Sequence, residues 1–188
     1  MSFVETFNPV ELKLTGNNLK GFLQGLITNN INSVSQEPVE TFVLTSQGKI
    51  KHQITITDKE DHFIIHCTND QSDLFAFFNM YAKLSRVKIE KFELQDTYDK
   101  DYFLDLLSQG KIDTNFITQP SLLPNEVDDS LVDYKKGCYV GQEVIARMKY
   151  KQKNKKIIKV FEQPPEGAKV LLDIENYVIA KVPYEKQD

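Results

Sequence analysis

The sequence predicts an α+β protein in which helices cover one face of a mainly antiparallel sheet. Two observations predict it: segments with apolar residues at helical spacing, and short β-branched or aromatic runs separated by turn residues. They alternate as helix, three strands, helix and strand. The chain has 188 residues, of which 40% are hydrophobic and 27% charged. This balance is typical of a globular protein with a real core.

The first helix is predicted in TGNNLKGFLQGLITNNI, where four apolar side chains share one helical face: Leu19, Phe22, Leu23 and Leu26. Asn17 or Asn18 is its candidate cap, and we expect the helix to end near Asn29. Three strands follow at about 40–44, 50–57 and 63–67, joined by hairpin turns at SQGK and DKED.

The second helix is predicted in SDLFAFFNMYAKLS, with one apolar side: Leu74, Phe77, Phe78, Tyr81 and Leu84. We interpret this side as core packing rather than a ligand box. A strand is expected directly after it, in RVKIEKF. A short helix at 101–107 and a surface connection containing TQPSLLPNEVDD come next. Strands at 157–161, 169–172 and 177–182 predict a small terminal β module, too short to close a barrel alone.

Composition excludes several classes of protein. A net charge of −4 argues against a surface that coats nucleic acid. No apolar run approaches the roughly 18 residues that would span a bilayer. MSFVETFNPV has no signal-peptide pattern, and the chain has two cysteines. We therefore expect a cytoplasmic, reducing location with no membrane contact.

The histidines and cysteines do not predict a metal site. On a strand His62 and His66 would lie about 13 Å apart, and Cys67 would face the opposite side from His66. A permanent iron–sulfur cluster normally needs four cysteine thiolates, and only Cys67 and Cys138 exist. We predict no permanently bound metal; transient cluster chemistry stays open. Geometry permits a Cys67–Cys138 disulfide, which a reducing compartment disfavours.

Cys138 stands in the stretch DYKKGCYVGQEVIARM, after Lys135 and Lys136 and before a probable helix. Nearby ammonium groups and a helix N-terminus both favour a thiolate. Gly137 and Gly141 would allow positive φ or close approach to a ligand. The alternative is a glycine-rich turn around a small packed thiol, and the residues alone leave both readings open.

Two further sequence patterns bear on chemistry. Lys149, Lys151, Lys153 and Lys155 would share one face if extended, forming either a site for an anionic tail, phosphate or RNA, or a lysine-protected hairpin edge. Neither G-x-S-x-G nor a phosphate-binding G-x-x-x-x-G-K-[ST] motif occurs.

The run KGCYVGQE matches the K-G-C-[FY]-x-G-Q-E signature, so the chain resembles the YgfZ family of folate-binding iron–sulfur cluster assembly factors, relatives of the glycine cleavage T-protein. LTGNNLKGFLQGLITNNI and TSQGKI resemble earlier segments of that family. The resemblance implies a T-protein-like fold with a discontinuous folate-binding domain at 1–48 plus 93–150. It also implies a ferredoxin-like part at 49–92 and an abbreviated β-barrel-like module at 151–188.

By that resemblance Cys138 is the functional thiol, and the folate site is formed by Gln24, Gly25, Thr28, Asn29, Lys49, Lys136, Tyr139, Gln142, Glu143 and Arg147. The implied cofactor is tetrahydrofolate or a derivative. The implied role is assembly or repair of [4Fe–4S] proteins, including radical enzymes that modify tRNA, with assembly proteins and client enzymes as partners. The alternative is a tetrahydrofolate-dependent aminomethyl or methyl transferase. Lys49 and Lys151 stand where the family commonly has arginine.

Overall fold

The computed structural model describes residues 3–4, 7–94, 98–118, 121–151 and 156–184. Its main layer is a five-stranded antiparallel sheet of β1 (Val10–Gly16), β2 (Val39–Leu44), β3 (Ile50–Asp58), β4 (Phe63–Cys67) and β5 (Val87–Glu93). The strand order is β2-β3-β4-β1-β5. The predicted hairpins are confirmed: Thr45 bonds Lys49 between β2 and β3, and Lys59 bonds His62 between β3 and β4.

Helices α1 (Leu19–Gln24) and α2 (Leu74–Ser85) cover one face of this sheet. Their apolar side chains join those of β1, β3 and β4 in a first core. Phe77 and Phe78 are buried there, so the interpretation of α2 as a core helix is confirmed. Leu84 was expected on the same face but is 93% exposed, because Ala82 takes the buried position in the last turn.

The second core lies on the opposite face of β2, since adjacent residues Phe42 and Val43 belong to different cores. It contains α3 (Lys100–Ser108), the short α4 (Pro124–Val127) and α5 (Gln142–Lys151). The loops of the protein also contain three 3₁₀ turns, at Ile31–Ser33, Thr114–Phe116 and Asp129–Leu131. Phe103 and Phe116 stack at the centre of the second core with ring centroids 5.1 Å apart.

The terminal module is a three-stranded antiparallel sheet of β6 (Lys156–Phe161), β7 (Lys169–Ile174) and β8 (Tyr177–Pro183), in the order β6-β8-β7. Ile158, Leu172 and Ile179 pack it into the second core. The three predicted strands are confirmed, whereas a barrel-like form stays a prediction. The predicted domains separate 1–48 from 49–92, whereas the five-stranded sheet contains strands from both ranges. The division into domains also stays a prediction.

Two sequence-based expectations differ from the structure. Helix α1 ends at Gln24 rather than near Asn29, because Ile27 and Thr28 pair with Val43 and Phe42 of β2. Lys149 and Lys151 lie in α5, so they do not form the extended row considered above. The remaining members, Lys153 and Lys155, lie outside the described residues. No helix in the described parts of the chain is long and apolar enough to cross a membrane.

Candidate functional site

The signature loop, residues 133–141, docks on the loop that follows α1, residues 25–31, which we call the α1 loop. Backbone hydrogen bonds join the two segments: Val140 donates to the Gly25 carbonyl at 3.1 Å, and Asp133 donates to the Thr28 carbonyl at 3.0 Å. The structure therefore brings the early segment and the signature segment, over one hundred positions apart in the printed sequence, into direct contact.

Lys136 is the main side-chain connection between these loops. It is 8% exposed, and its Nζ donates to the carbonyl oxygens of Ile27 at 2.5 Å and Asn29 at 2.9 Å. The same ammonium lies 4.6 Å from the centroid of the Tyr139 ring. Burial lowers the pKa of Lys136 to about 8, and the charge of Asp133 opposes this. The Lys136 ammonium is therefore hydrogen-bonded to backbone carbonyls, whereas the sequence suggested that it would stabilise a thiolate at Cys138.

Asp133 fixes the start of the signature loop. Its Oδ1 accepts hydrogen bonds from the backbone of Lys135 at 2.7 Å and Lys136 at 3.2 Å, and its Oδ2 accepts one from Asn30 Nδ2. These bonds, led by the one from Lys135, lower the pKa of Asp133. The carboxylate therefore holds the turn that carries Lys136 inward.

The four predicted residues of the early segment shape the α1 loop from within. Thr28 is fully buried and its Oγ1 donates to the Leu131 carbonyl at 2.7 Å. Gln24 Oε1 accepts from the Ile31 amide at 2.9 Å, and Asn29 Nδ2 donates to the Glu40 carbonyl at 3.2 Å. Gly25 supplies the carbonyl for Val140. Their observed contacts are with the protein itself, so a direct role in folate binding stays a proposal.

Gly141 sets how closely the signature loop approaches the β2–β3 turn. Its φ is 82°, and a Cβ there would lie 2.6 Å from the Thr45 carbonyl oxygen and 3.0 Å from Gly48 Cα. Only glycine fits both demands. Gly137, in contrast, does not have positive φ and has open space around it. The expected backbone freedom is therefore needed at Gly141 and not at Gly137.

Cys138 is an exposed free thiol at the surface of this loop. Tyr139, next to it, points the other way and is 7% exposed in the second core. Its hydroxyl is buried and finds no hydrogen-bond partner among the described residues. Burial raises the pKa of Tyr139. Cys67, the other cysteine, is a fully buried free thiol in the first core, and desolvation raises its pKa.

The remaining predicted site residues lie at or near the first turns of α5 and in the β2–β3 turn. Gln142 and Glu143 begin α5, and Glu143 accepts from Arg147 Nη2 at 2.6 Å on the exposed helix surface. Lys49 Nζ donates to the Ser121 carbonyl at 3.2 Å. Lys149 is engaged by Asp129 at 3.3 Å and by the Tyr134 ring at 3.7 Å.

A central cavity of about 350 Å³ lies where the main sheet, α3 and the terminal module meet. Its polar lining includes residues that sequence reasoning did not select: Glu40, Gln53, His66, Thr68, Tyr102 and Asp113. As the described residues define it, this lining contains no residue of the signature loop. A cavity of this size lies in the range of small-molecule sites. Among the described residues, no group of three histidine, cysteine or acidic side chains could hold a metal ion.

Some polar groups of the cavity lining have hydrogen-bond partners within the protein, and one has none among the described residues. Glu40 Oε1 accepts from Gln53 Nε2 at 2.5 Å, while His66 Nε2 is buried and has no partner in the described part of the chain. The rings of Tyr98 and Tyr102 meet edge to face with centroids 4.6 Å apart, beside His66. Burial lowers the pKa of His66, so its ring is neutral at pH 7. The lining thus combines polar groups with the aromatic ring of Tyr102.

Asp113 is a buried carboxyl group in this lining. Thr68 Oγ1 donates to its Oδ2 at 2.5 Å and the Asn115 amide to its Oδ1 at 2.9 Å, but burial outweighs these bonds and raises its pKa to about 6. Because the folded pKa lies above the unfolded one, stability from this group is full below pH 3.8 and is lost as pH rises through 6. At pH 7 the ionised carboxylate therefore destabilises the fold.

We expect Asp113→Asn to increase the free energy of unfolding at pH 7 by about 1 to 3 kcal/mol, because the buried charge is removed. The amide oxygen still accepts from the Asn115 backbone amide, and the amide nitrogen can donate to Thr68 Oγ1 in place of the present bond in the other direction. At pH 4 the increase should nearly vanish, since the native carboxyl is then protonated. Urea unfolding at both pH values measures this, with Glu37→Gln as an exposed control. An equal effect at both pH values would contradict the assignment.

Comparison with solved structures shows a fold like that of a glycine cleavage enzyme. The glycine cleavage system aminomethyltransferase T from Bartonella henselae superposes with a TM-score of 0.68 at 12% identity, covering 94% of this chain and 77% of that one. The fold is therefore T-protein-like, a mixed α and β architecture with antiparallel sheets. No protein-family model and no curated protein sequence matches the chain.

Proposed function

We propose that this protein is a tetrahydrofolate-binding factor of the cytoplasm that assists assembly or repair of [4Fe–4S] proteins through Cys138. The observation that carries the proposal is an exposed thiol held on a loop that Lys136 and Asp133 fix to the body of the protein. The signature KGCYVGQE and the T-protein-like fold support it. Partners in this role are assembly proteins and [4Fe–4S] clients, including radical enzymes that modify tRNA.

The central cavity is the proposed folate site. A reduced pterin ring is flat and has adjacent N–H donors and a carbonyl acceptor, which suit carboxylate, amide and imidazole groups such as Glu40, Gln53 and His66. Lys49 and Arg147 would attract the anionic glutamate tail. Gln24, Gly25, Thr28 and Asn29 support the site by holding the α1 loop beside β2.

The chemistry proposed for the protein's own residues is thiol chemistry. A cysteine thiolate is both a nucleophile and an iron ligand. Cys138 would bind iron transiently as cargo, while the buried neighbours Lys136 and Tyr139 keep the loop in one conformation. Tyr139, Gln142 and Glu143 continue the loop into α5, so the thiol is presented from the start of a helix.

A one-carbon transferase is the second candidate, and the aminomethyltransferase neighbour favours it. Such a transfer would depend on orienting folate and stabilising charge, without a thiol. Measured aminomethyl or methyl transfer that survives Cys138→Ser would support the transferase and contradict the cysteine-based role.

We expect Thr55→Trp to abolish tetrahydrofolate binding, because Thr55 is a partly exposed β3 residue whose side chain lines the central cavity and the indole would fill it. Isothermal titration under anaerobic conditions measures the affinity. Cys138→Ala is the control and should bind folate as the unmodified protein does. Binding that Thr55→Trp leaves unchanged would place the folate elsewhere.

A further inference from the structure

A second cavity, of about 330 Å³, lies behind the β2–β3 turn and contains, besides Lys49, residues that the proposed function does not use. It is lined in part by His52 on β3, Ser72 just before α2, and Lys49 and Lys51. Gln53, the neighbour of His52, faces the central cavity instead. The linings of the two cavities share no residue, so they are separate sites.

Ser72 and His52 line this cavity, and with the buried Asp70 they stand in the order of an acyl-transfer triad. Ser72 Oγ is 3.1 Å from His52 Nε2, and His52 Nδ1 is 3.8 Å from Asp70 Oδ1. The first distance is a hydrogen bond. The second is longer than one by about 0.8 Å, a gap of the kind that closes when a substrate binds to a ligand-free site.

The surroundings of the three groups match their roles. Ser72 is exposed and accessible to a substrate, whereas His52 is 1% exposed and Asp70 is 7% exposed. Asp70 is held in place by the Leu74 amide, which lies 2.9 Å and 3.0 Å from its two carboxylate oxygens. Its Oδ1 is 3.8 Å from His52 Nδ1, and in the ring tautomer with the proton on Nδ1, Nε2 can accept the serine proton.

We infer that Ser72, His52 and Asp70 form an acyl-transfer site for small anionic activated esters or thioesters. Ser72 Oγ attacks the carbonyl carbon while its proton passes to His52 Nε2. The alcohol or thiol leaves with that proton, and an acyl ester remains on Ser72. Water then attacks this ester, gives one proton to His52 and releases the acid, and Ser72 recovers its proton. The inference does not depend on the proposed folate and iron–sulfur role.

The lysines set the expected substrate charge. Lys51 Nζ lies 4.8 Å from the Phe77 ring centroid, and Lys49 Nζ is bonded to a neutral carbonyl. Neither contact neutralises an ammonium charge, so both can attract an anionic substrate. Burial lowers the pKa of His52 to about 3, which makes it neutral but weakly basic. The site should therefore act on substrates with good leaving groups rather than on amides.

The test uses the full-length chain with a fluorophosphonate probe and para-nitrophenyl esters. The probe should modify Ser72, located by peptide mass spectrometry, and Ser72→Ala should abolish both labelling and ester hydrolysis. His52→Gln should reduce labelling at least tenfold, with its fold checked by thermal melting. Ser85→Ala, at the other end of α2, is the matched control and should label normally.

The preference for an anionic substrate provides a second readout. The para-nitrophenyl monoester of succinate should be hydrolysed faster than para-nitrophenyl acetate, and Lys51→Ala should reduce this preference several-fold. Absence of labelling in the unmodified protein, or labelling and hydrolysis that persist in Ser72→Ala, would overturn the inference. Because Ser72 is exposed, the Ser72→Ala variant should fold normally. The test with this variant is therefore decisive even if His52→Gln does not fold.

Discussion

Lys136→Met is expected to lower the free energy of unfolding by about 2 to 4 kcal/mol. The substitution keeps the length of the side chain but removes the donor for the Ile27 and Asn29 carbonyls. Each buried carbonyl left without a partner costs about 1 to 3 kcal/mol. The loss of the charge itself offsets part of this cost, because burying an ammonium is unfavourable. Urea unfolding followed by circular dichroism gives the value.

The adjacent lysine supplies the matched control for this prediction. Lys135 is exposed and uses only its backbone amide in the loop, so Lys135→Met should change stability by less than about 0.5 kcal/mol. Lys136→Met should also make the signature loop more sensitive to limited proteolysis. A variant as stable and as resistant as the unmodified protein would show that Lys136 does not hold the two loops together.

Local sequence patterns predicted much of the main sheet. The turns SQGK and DKED each join strands of period-two pattern, and both hairpins form through bonds between residues close in sequence. Strand β1 was not among our predictions, although Val10, Leu12 and Leu14 alternate with polar residues. It lies between β4 and β5, so its pairing depends on contacts far along the chain.

The end of α1 shows how tertiary contacts override a periodic pattern. The apolar spacing continues through Leu26, although Gly25 directly after Gln24 is a residue that disfavours a helix. Thr28 leaves the helix because its amide bonds the Phe42 carbonyl and its hydroxyl bonds the Leu131 carbonyl. Both partners come from segments that periodicity cannot place beside it.

The candidate site was predictable only in part. The resemblance of KGCYVGQE to a family signature identified the signature loop, and the structure shows its thiol exposed. The inward path of the Lys136 side chain could not be predicted, since its acceptors are carbonyls more than one hundred positions earlier in the printed sequence. The central cavity was missed as well, although Gln53 beside Ile54 in a buried strand was a signal for an inward polar residue.

Cys138→Ala should remove iron–sulfur support while leaving the fold unchanged. The side chain is exposed, so its loss should alter the free energy of unfolding by less than about 0.5 kcal/mol. Tetrahydrofolate affinity should also be retained, because Cys138 does not belong to the central cavity lining. Thermal melting and folate titration check both points and separate loss of the thiol from loss of structure.

The most direct measurement is complementation of a cell that lacks its YgfZ-like factor, scored by the methylthiolation of tRNA. The unmodified protein and Cys138→Ala are expressed at equal levels and compared side by side. The account predicts restored methylthiolation with the unmodified protein and a near-complete loss with Cys138→Ala. Equal restoration by both would show that the thiol is not required and would contradict the central claim.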